Sequence, residues 1–442
     1  MPLTPLEPWI KSKIGLAATE PLTRSLLERY QLRKLRETMA HARRHSPFYR
    51  QHLQGCGEPD SLEDVARLPF TSPTDVQEDD LRFLCVSQAE VARVVTLRSS
   101  GTTAPPKRLH FTAADLELTV NFFHHGMSTM VQPGQRVLIL MPGELPGSVG
   151  DQLVKGLRRL DVEGIVHGLV HDAEDVLHSI ETLKIDCLVG IPVQMLALAR
   201  HPAATALPPN RLKSVLLSAD YVPEAVVREV NAVWGASVYN HYGMTEMGLG
   251  GGVECSGRCG YHLREADLYV EIVDPESGRP LPDGERGEVV FTTLTRWGMP
   301  LIRYRTGDLA RFLPESCPCG TVLRRLERAK GRLAGTVRLR NGGAFDITDL
   351  DEALFPLPLL LDYQAVLSEG DGRDVLNVTI KTTATDNGEA SHQVLRALFE
   401  VPAVRAAVAD GSLTLRAVGH GAFITTGSIK RTVLDRRKEH IC

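Results

Sequence analysis

Hydrophobic and polar positions along this chain follow several rhythms in turn. Between Pro21 and about Arg44, Leu26, Leu27, Tyr30, Leu32, Leu35 and Met39 recur at helical spacing and predict an amphipathic helix closed by His45-Ser46-Pro47. Asp60 to Val65 predicts a short capped helix before Leu68-Pro69-Phe70. Val91, Val94, Val95 and Leu97 form a strand-like run, and Thr112-Ala113-Ala114-Asp115 opens a helix. Strand-like and helical segments then alternate from Arg136 to Tyr239, which predicts an α/β domain with largely parallel strands. From about Leu268 the segments shorten. Leu268 to Val273, Gly287 to Phe291 and Asp308 to Phe312, divided by Gly, Pro and Asp, predict a β-barrel or small sheet. After Gly331-Arg332, helical segments at Asp349 to Leu354 and His392 to Glu400 lie among strands such as Gln364 to Leu367 and Val375 to Ile380. The expected architecture is α/β: a large multi-subdomain N-terminal domain over residues 1–332, parallel α/β plus a β-rich part, and a small α+β C-terminal domain over 333–442.

Composition narrows this little. With 442 residues, 43% hydrophobic and 24% charged, the chain has the make-up of a soluble globular protein. A net charge of −4 argues against nucleic acid as a partner. No run of about 18 apolar residues predicts a membrane span and no basic leader precedes an apolar core, so a cytoplasmic protein is expected. Eight cysteines in a chain this long do not make a disulfide scaffold. Their placement says more. Cys255, His262, Cys317 and Cys319 supply three thiolates and an imidazole from two turn-rich segments, a plausible tetrahedral zinc site, with Cys259 as a fifth candidate. Four protein ligands leave no open position, so that metal would be structural. Cys56, Cys85, Cys187 and Cys442 read as inert thiols.

The chemistry gathers in five polar clusters. Ser99-Ser100-Gly101-Thr102-Thr103, followed closely by Lys107, offers backbone N–H groups, hydroxyls and an ammonium to a polyphosphate. Tyr242-Gly243-Met244-Thr245-Glu246 follows a strand and combines an aromatic ring, a hydroxyl and a carboxylate. Arg303 to Asp308 ends in a carboxylate suited to a ribose diol, and Gly331-Arg332 lies at the expected domain boundary. Thr425 to Arg431 closes the series.

In this order the clusters resemble those of adenylate-forming enzymes, specifically the phenylacetate–coenzyme A ligase branch. His45-Ser46-Pro47-Phe48-Tyr49 and Leu68-Pro69-Phe70-Thr71 are similar to N-terminal signatures of that branch. The resemblance implies ATP-dependent formation of an acyl-adenylate from a carboxylic acid, then transfer to a thiol, with coenzyme A the expected acceptor. It implies that Ser99, Ser100, Gly101, Thr102, Thr103 and Lys107 close over the ATP phosphates. Tyr242 and Gly243, with Ser218, Ala219 and Asp220, would flank the adenine. Thr245 would contact the α-phosphate, Glu246 would hold Mg²⁺, and Asp308 and Arg332 would bond the ribose. Gly143, Leu145, Tyr221, Met244 and Gly248 would border the acyl substrate, an aryl or other small acid. The C-terminal domain would move as a lid. ATP with Mg²⁺, a structural Zn²⁺ and coenzyme A are the implied cofactors and co-substrate, and a homodimer is kept open.

Two departures from the family pattern change the picture. The lysine that normally reaches the carboxylate and α-phosphate falls at Ser428, with Lys430 two positions on. Ala334 stands where the family places an acidic or lysine pivot. Two alternatives follow: an adenylating enzyme that loads carrier-protein phosphopantetheine or an amine, with Arg338 and Arg340 as docking candidates, and a nucleotide-binding pseudoenzyme.

Overall fold

The computed structural model describes residues 1–97, 106–383, 387–419 and 430–437. The expected first long helix runs Arg24–His45, starting where the Thr23 side chain accepts from the Leu26 N–H. Its apolar stripe buries Leu27, Tyr30, Leu35 and Met39. Strands β1 (Val91–Leu97) and β2 (Lys107–Thr112) form an antiparallel pair. The Thr112 cap then opens the helix Ala113–Met127 through a capping box with Asp115.

The centre is a nine-stranded mixed sheet. Strands β3 (Arg136–Ile139), β4 (Glu163–Val166), β5 (Cys187–Gly190), β6 (Ser214–Leu217) and β7 (Ser237–Tyr242) run parallel in the order β4-β3-β5-β6-β7. Strands β5 and β6 are buried at every position, as expected where helices cover both faces. Beyond β7 the sheet turns antiparallel through β8 (Gly252–Glu254) and β9 (Tyr261–Leu263). Separately, β10 (Leu268–Val273), β11 (Gly287–Thr293) and β12 (Tyr304–Ala310) make a three-stranded antiparallel sheet. The β-rich stretch is therefore not a barrel. After β12 the chain leaves this sheet, and β13 (Phe312–Leu313) and β14 (Arg325–Leu326) extend the central one beside β9.

Toward the C-terminus, β15 (Val337–Arg338) and β16 (Ala344–Phe345) pair, and the helix Ile347–Leu354 follows. Strands β17 (Leu360–Gly370), β18 (Arg373–Thr382), β19 (Leu413–Gly419) and β20 (Leu434–Asp435) form a smaller sheet in the order β19-β18-β17-β20, with helices Asn387–Leu398 and Pro402–Ala409 between β18 and β19. One buried apolar cluster joins this part to the large sheet. It runs from Leu138, Met195, Val226 and Trp234 to Leu350, Phe355, Leu360 and Leu376. Arg200, at the end of helix Pro192–Ala199, donates to the carbonyls of Phe355 (2.8 Å), Leu357 (2.9 Å) and Leu360. No helix among the described residues is long and apolar enough to cross a membrane.

Candidate active site

The site starts at the base of the β1–β2 pair, where Leu97 faces Lys107 in register. Ser99, Ser100, Gly101, Thr102 and Thr103 lie between these strands, outside the described residues, as does Ser428. Lys107, the first residue of β2, ion-pairs with Glu246 and donates to the Tyr304 hydroxyl at 2.9 Å. Tyr304 in turn donates to Glu246 Oε1 at 3.3 Å. A 3₁₀ turn, Thr245–Met247, holds Glu246, whose carbonyl accepts from Arg296 (2.8 Å). Burial pushes the Glu246 carboxyl up, but the Lys107 ammonium and its hydrogen bond pull it down further, leaving it below the ordinary value. A buried carboxylate held anionic fits a divalent cation.

Beside this pair opens a polar cavity, lined by charged side chains that include Asp220, Asp308, Arg332 and Lys430. On one wall, Tyr242 stacks on Tyr261 with centroids 5.7 Å apart and donates its hydroxyl to Asp308 at 3.1 Å. Burial and the Asp308 charge hold that phenol well above its usual value, so it stays a donor. Arg332 reaches the other Asp308 oxygen at 2.5 Å, and the two residues form an isolated bridge between their backbones. Gly243 also lines the cavity. On the facing wall, Ala219 adopts a φ of 75°, a left-handed conformation uncommon for a residue with a Cβ. Asp220 next to it accepts from the Arg431 backbone N–H at 3.2 Å, and burial raises its carboxyl above the ordinary value. Lys430 lines the same cavity, and its charge acts on both Glu246 and Asp220.

A second cavity, mostly apolar, lies between helix Ala113–Met127 and the large sheet. The helix contributes Phe122, Phe123, Gly126 and Met127, two pairs spaced four residues apart and thus one face. Met141, Val189, Leu216 and Val253 close the sheet side. His241 lines both cavities. Its Nδ1 shares a hydrogen bond of 2.8 Å with Ser218 Oγ, and burial brings the imidazole down to about 4, so it is neutral near pH 7.

The residues expected to border the acyl substrate lie elsewhere than around this apolar cavity. None of Gly143, Leu145, Tyr221, Met244 or Gly248 lines the apolar cavity. Leu145 is exposed, and Gly143 packs so closely on Val166 and Gly150 that a Cβ there would clash. Tyr221 lines the polar cavity and donates to Glu352 at 2.7 Å. Met244 begins the Glu246 turn, and Gly248 (φ 75°) ends it beside Thr119 and Arg264. Ser218, expected near the adenine with Ala219 and Asp220, lines the apolar cavity instead. Sequence reasoning missed Phe122, Phe123 and His241. The one available signal was the aromatic doublet followed by Gly126-Met127 on one helical face, which reads equally well as plain core.

Cys255, His262, Cys317 and Cys319 converge, all buried, with their ligand atoms within 4.8 Å of one another. Cys255 and Cys317 sulfurs are 3.6 Å apart, and Cys319 Sγ is 3.5 Å from His262 Nε2. Zinc–sulfur bonds of about 2.3 Å in a tetrahedron place sulfurs about 3.8 Å apart and sulfur and nitrogen about 3.5 Å apart. The four residues fit one such ion. The Cys259 sulfur beside them accepts from Arg325 (2.9 Å).

The AMP-binding enzyme family matches residues 93–294. A phenylacetate–coenzyme A ligase from Thermus thermophilus is 30% identical over 369 residues, 80% of this chain and 80% of that protein. Among solved structures, a 2-hydroxyisobutyryl-CoA ligase in its postadenylation state superposes with a TM-score of 0.78 at 23% identity, covering 97% of this chain and 95% of that one. The same ligase in its thioesterification state, bound to an acyl-adenylate and coenzyme A, gives 0.67 at 24% identity, covering 95% and 91%.

Proposed function

This chain belongs to the phenylacetate–coenzyme A ligase family of AMP-forming acid–thiol ligases, and from that premise we propose that it activates an aryl or similarly small apolar carboxylic acid, seated in the Phe122–Val253 cavity. The observation that carries this reading is the position of His241 on the walls of both cavities. An apolar acid in one and a nucleotide in the other meet there, carboxylate against α-phosphate. A carboxylate oxygen attacks the α-phosphorus, pyrophosphate leaves, and the mixed anhydride is then attacked by the thiol sulfur of coenzyme A, releasing AMP.

In this scheme Tyr242 lies along the adenine, Asp308 and Arg332 take the ribose hydroxyls, and Ala219 and Asp220 form the opposite edge. Ser99, Ser100, Gly101, Thr102, Thr103 and Lys107 enclose the phosphates. Thr245 contacts the α-phosphate. Glu246 is the residue that would hold Mg²⁺, which supplies charge neutralisation for the leaving pyrophosphate when bound. Neutral His241, held by Ser218, orients the acid without adding charge. Lys430 supplies the cation that Ser428 lacks, supported by its place in the polar cavity. Such positioning and charge neutralisation account for most of the catalysis in reactions of this type. Residues from about 333 onward act as the lid. Cys255, His262, Cys317 and Cys319 hold a structural Zn²⁺ that ties the segment after Glu246 to β9 and the β13–β14 connection.

Coenzyme A is favoured over a carrier protein because the relatives at 30% identity are coenzyme A ligases. The pseudoenzyme reading has Ser428 in its favour. Acid-dependent ATP–pyrophosphate exchange over aromatic and aliphatic acids, followed by mass detection of the coenzyme A thioester, separates them. Exchange and thioester with an apolar acid are expected. Nucleotide binding without exchange for any acid would select the pseudoenzyme.

A further inference from the structure

We infer that Arg431 is a positioning residue that keeps Lys430 aimed into the polar cavity while the C-terminal sheet is docked; this rests on the ligase reading above. Among the described residues, the hydrogen bonds, ion pairs and ring contacts of the Arg431 side chain come from one stretch. Its guanidinium pairs with Asp351 and lies 3.6 Å from Asp362, and it donates to the Tyr363 carbonyl at 3.2 Å. It also sits over the rings of Tyr363 (4.4 Å) and Phe355 (4.9 Å). Asp351 is fixed in turn by the Tyr363 hydroxyl at 2.6 Å. All these partners lie between Asp351 and Tyr363, in the part of the chain that carries the smaller sheet.

The backbone of the same residue points the other way. Its N–H donates to Asp220 at 3.2 Å, on the wall of the nucleotide cavity that follows β6. Arg431 is thus held at two ends by two parts of the molecule, and Lys430 is the adjoining residue. With the side chain of Arg431 fixed and its amide seated on Asp220, the Lys430 side chain leaves the backbone inside the cavity, where its charge reaches both Glu246 and Asp220. Undocking the smaller sheet leaves the guanidinium grip intact but separates the amide from Asp220. Lys430 then withdraws from the nucleotide. A lysine at position 431 could replace the charge but not the planar five-donor fork that serves Asp351, Asp362 and a carbonyl between two rings.

The assignment predicts that the two half-reactions part company. ATP–pyrophosphate exchange and, separately, thioester formation from chemically prepared acyl-adenylate plus coenzyme A would be measured for the full-length native chain, R431A, R431K and D362N. Expected for R431A is loss of exchange on the order of 100-fold, the scale of removing one charge-stabilising group, with thioester formation falling far less. R431K is expected between R431A and native, and D362N close to native but lower in exchange. A parallel fall of both half-reactions with a lowered melting temperature, or exchange by R431A within threefold of native, overturns the assignment. Should R431A not fold, R431K and D362N decide it by the same ratio: equal losses in both half-reactions overturn it, a selective loss of exchange supports it. Absence of exchange in the native chain itself is a separate outcome. It removes the ligase reading, and this assignment with it.

Discussion

The two cavities that meet at His241 are built by different rules. The polar one is made of groups that satisfy one another, Arg332 with Asp308 and Tyr242 with Asp308, and it opens beside the Lys107–Glu246 ion pair. Each group sits on a strand end or tight turn, so its position is set by backbone geometry. The apolar one is made of side-chain shape alone, from one helix face and the inner surface of the large sheet. A site of the first kind depends on which atoms are present. A site of the second kind depends on volume, and it can change its ligand without changing its chemistry.

That difference can be tested from either side. Glu246→Gln removes a buried charge beside the polar cavity and is expected to lower ATP–pyrophosphate exchange by about 100- to 1,000-fold for every acid tested. Acid-selective loss would show that the two cavities are not separable. In the apolar cavity a Cβ at Gly126 meets only Val253, at 3.4 Å, so small side chains fit there. Gly126→Leu is expected to raise the KM for the acid about tenfold or more, with the KM for ATP within about twofold. Smaller acids should suffer least.

Away from both cavities, the cysteine–histidine cluster should influence stability rather than choice of acid. Metal analysis is expected to return one zinc per chain, and Cys255→Ser to cost about 3 kcal/mol or more in denaturant unfolding while leaving relative acid preference unchanged. His241 adds a pH signature. Its folded value is depressed to about 4 from 6.5, so the unfolded chain binds the extra proton first as pH falls. Its stabilising contribution is complete above about 6.5 and is lost between there and about 4. The variant H241N is expected to flatten that acid limb by about one proton, as read from unfolding free energy against pH. The smallest effect is expected at Ala219→Gly, which relieves a left-handed alanine and should gain about 0.5–1 kcal/mol, provided the turn it releases stays closed over the nucleotide.

How far each part was legible in the sequence follows the same division. The parallel strands and their helices were readable because β5 and β6 are short unbroken apolar runs bounded by polar turns. Part of the polar cavity was readable because Tyr242-Gly243, Asp308, Gly331-Arg332 and Lys430 fall in compact polar clusters, whereas Tyr261 and Asp346 to Thr348, which also line it, stand in none. Where the chain departs from a barrel, at Arg311 between β12 and β13, no local signal marks the change of sheet. That choice is made by pairing between Arg325 and His262, distant in sequence. The apolar cavity was illegible for a related reason. Phe122, Met141, Val189 and Val253 come from four elements, and each has the pattern of ordinary core. Leu145 and Gly143 lie near one another in sequence around a turn, yet one faces solvent and the other is locked against Val166.

The buried cluster that runs from Trp234 and Val226 to Phe355 and Leu360 bears on modularity. The C-terminal sheet is not a cassette that can be exchanged by itself. A chimera that exchanges it must also carry the facing surfaces of helices Pro192–Ala199 and Glu224–Trp234, together with the Arg200 side chain that grips three of its carbonyls. Without them, both halves of the graft expose greasy surface and the buried Arg200 guanidinium keeps Glu229 but loses its three carbonyl acceptors. The natural unit of recombination is therefore larger than the smaller sheet itself, and it includes those two helices of the larger part.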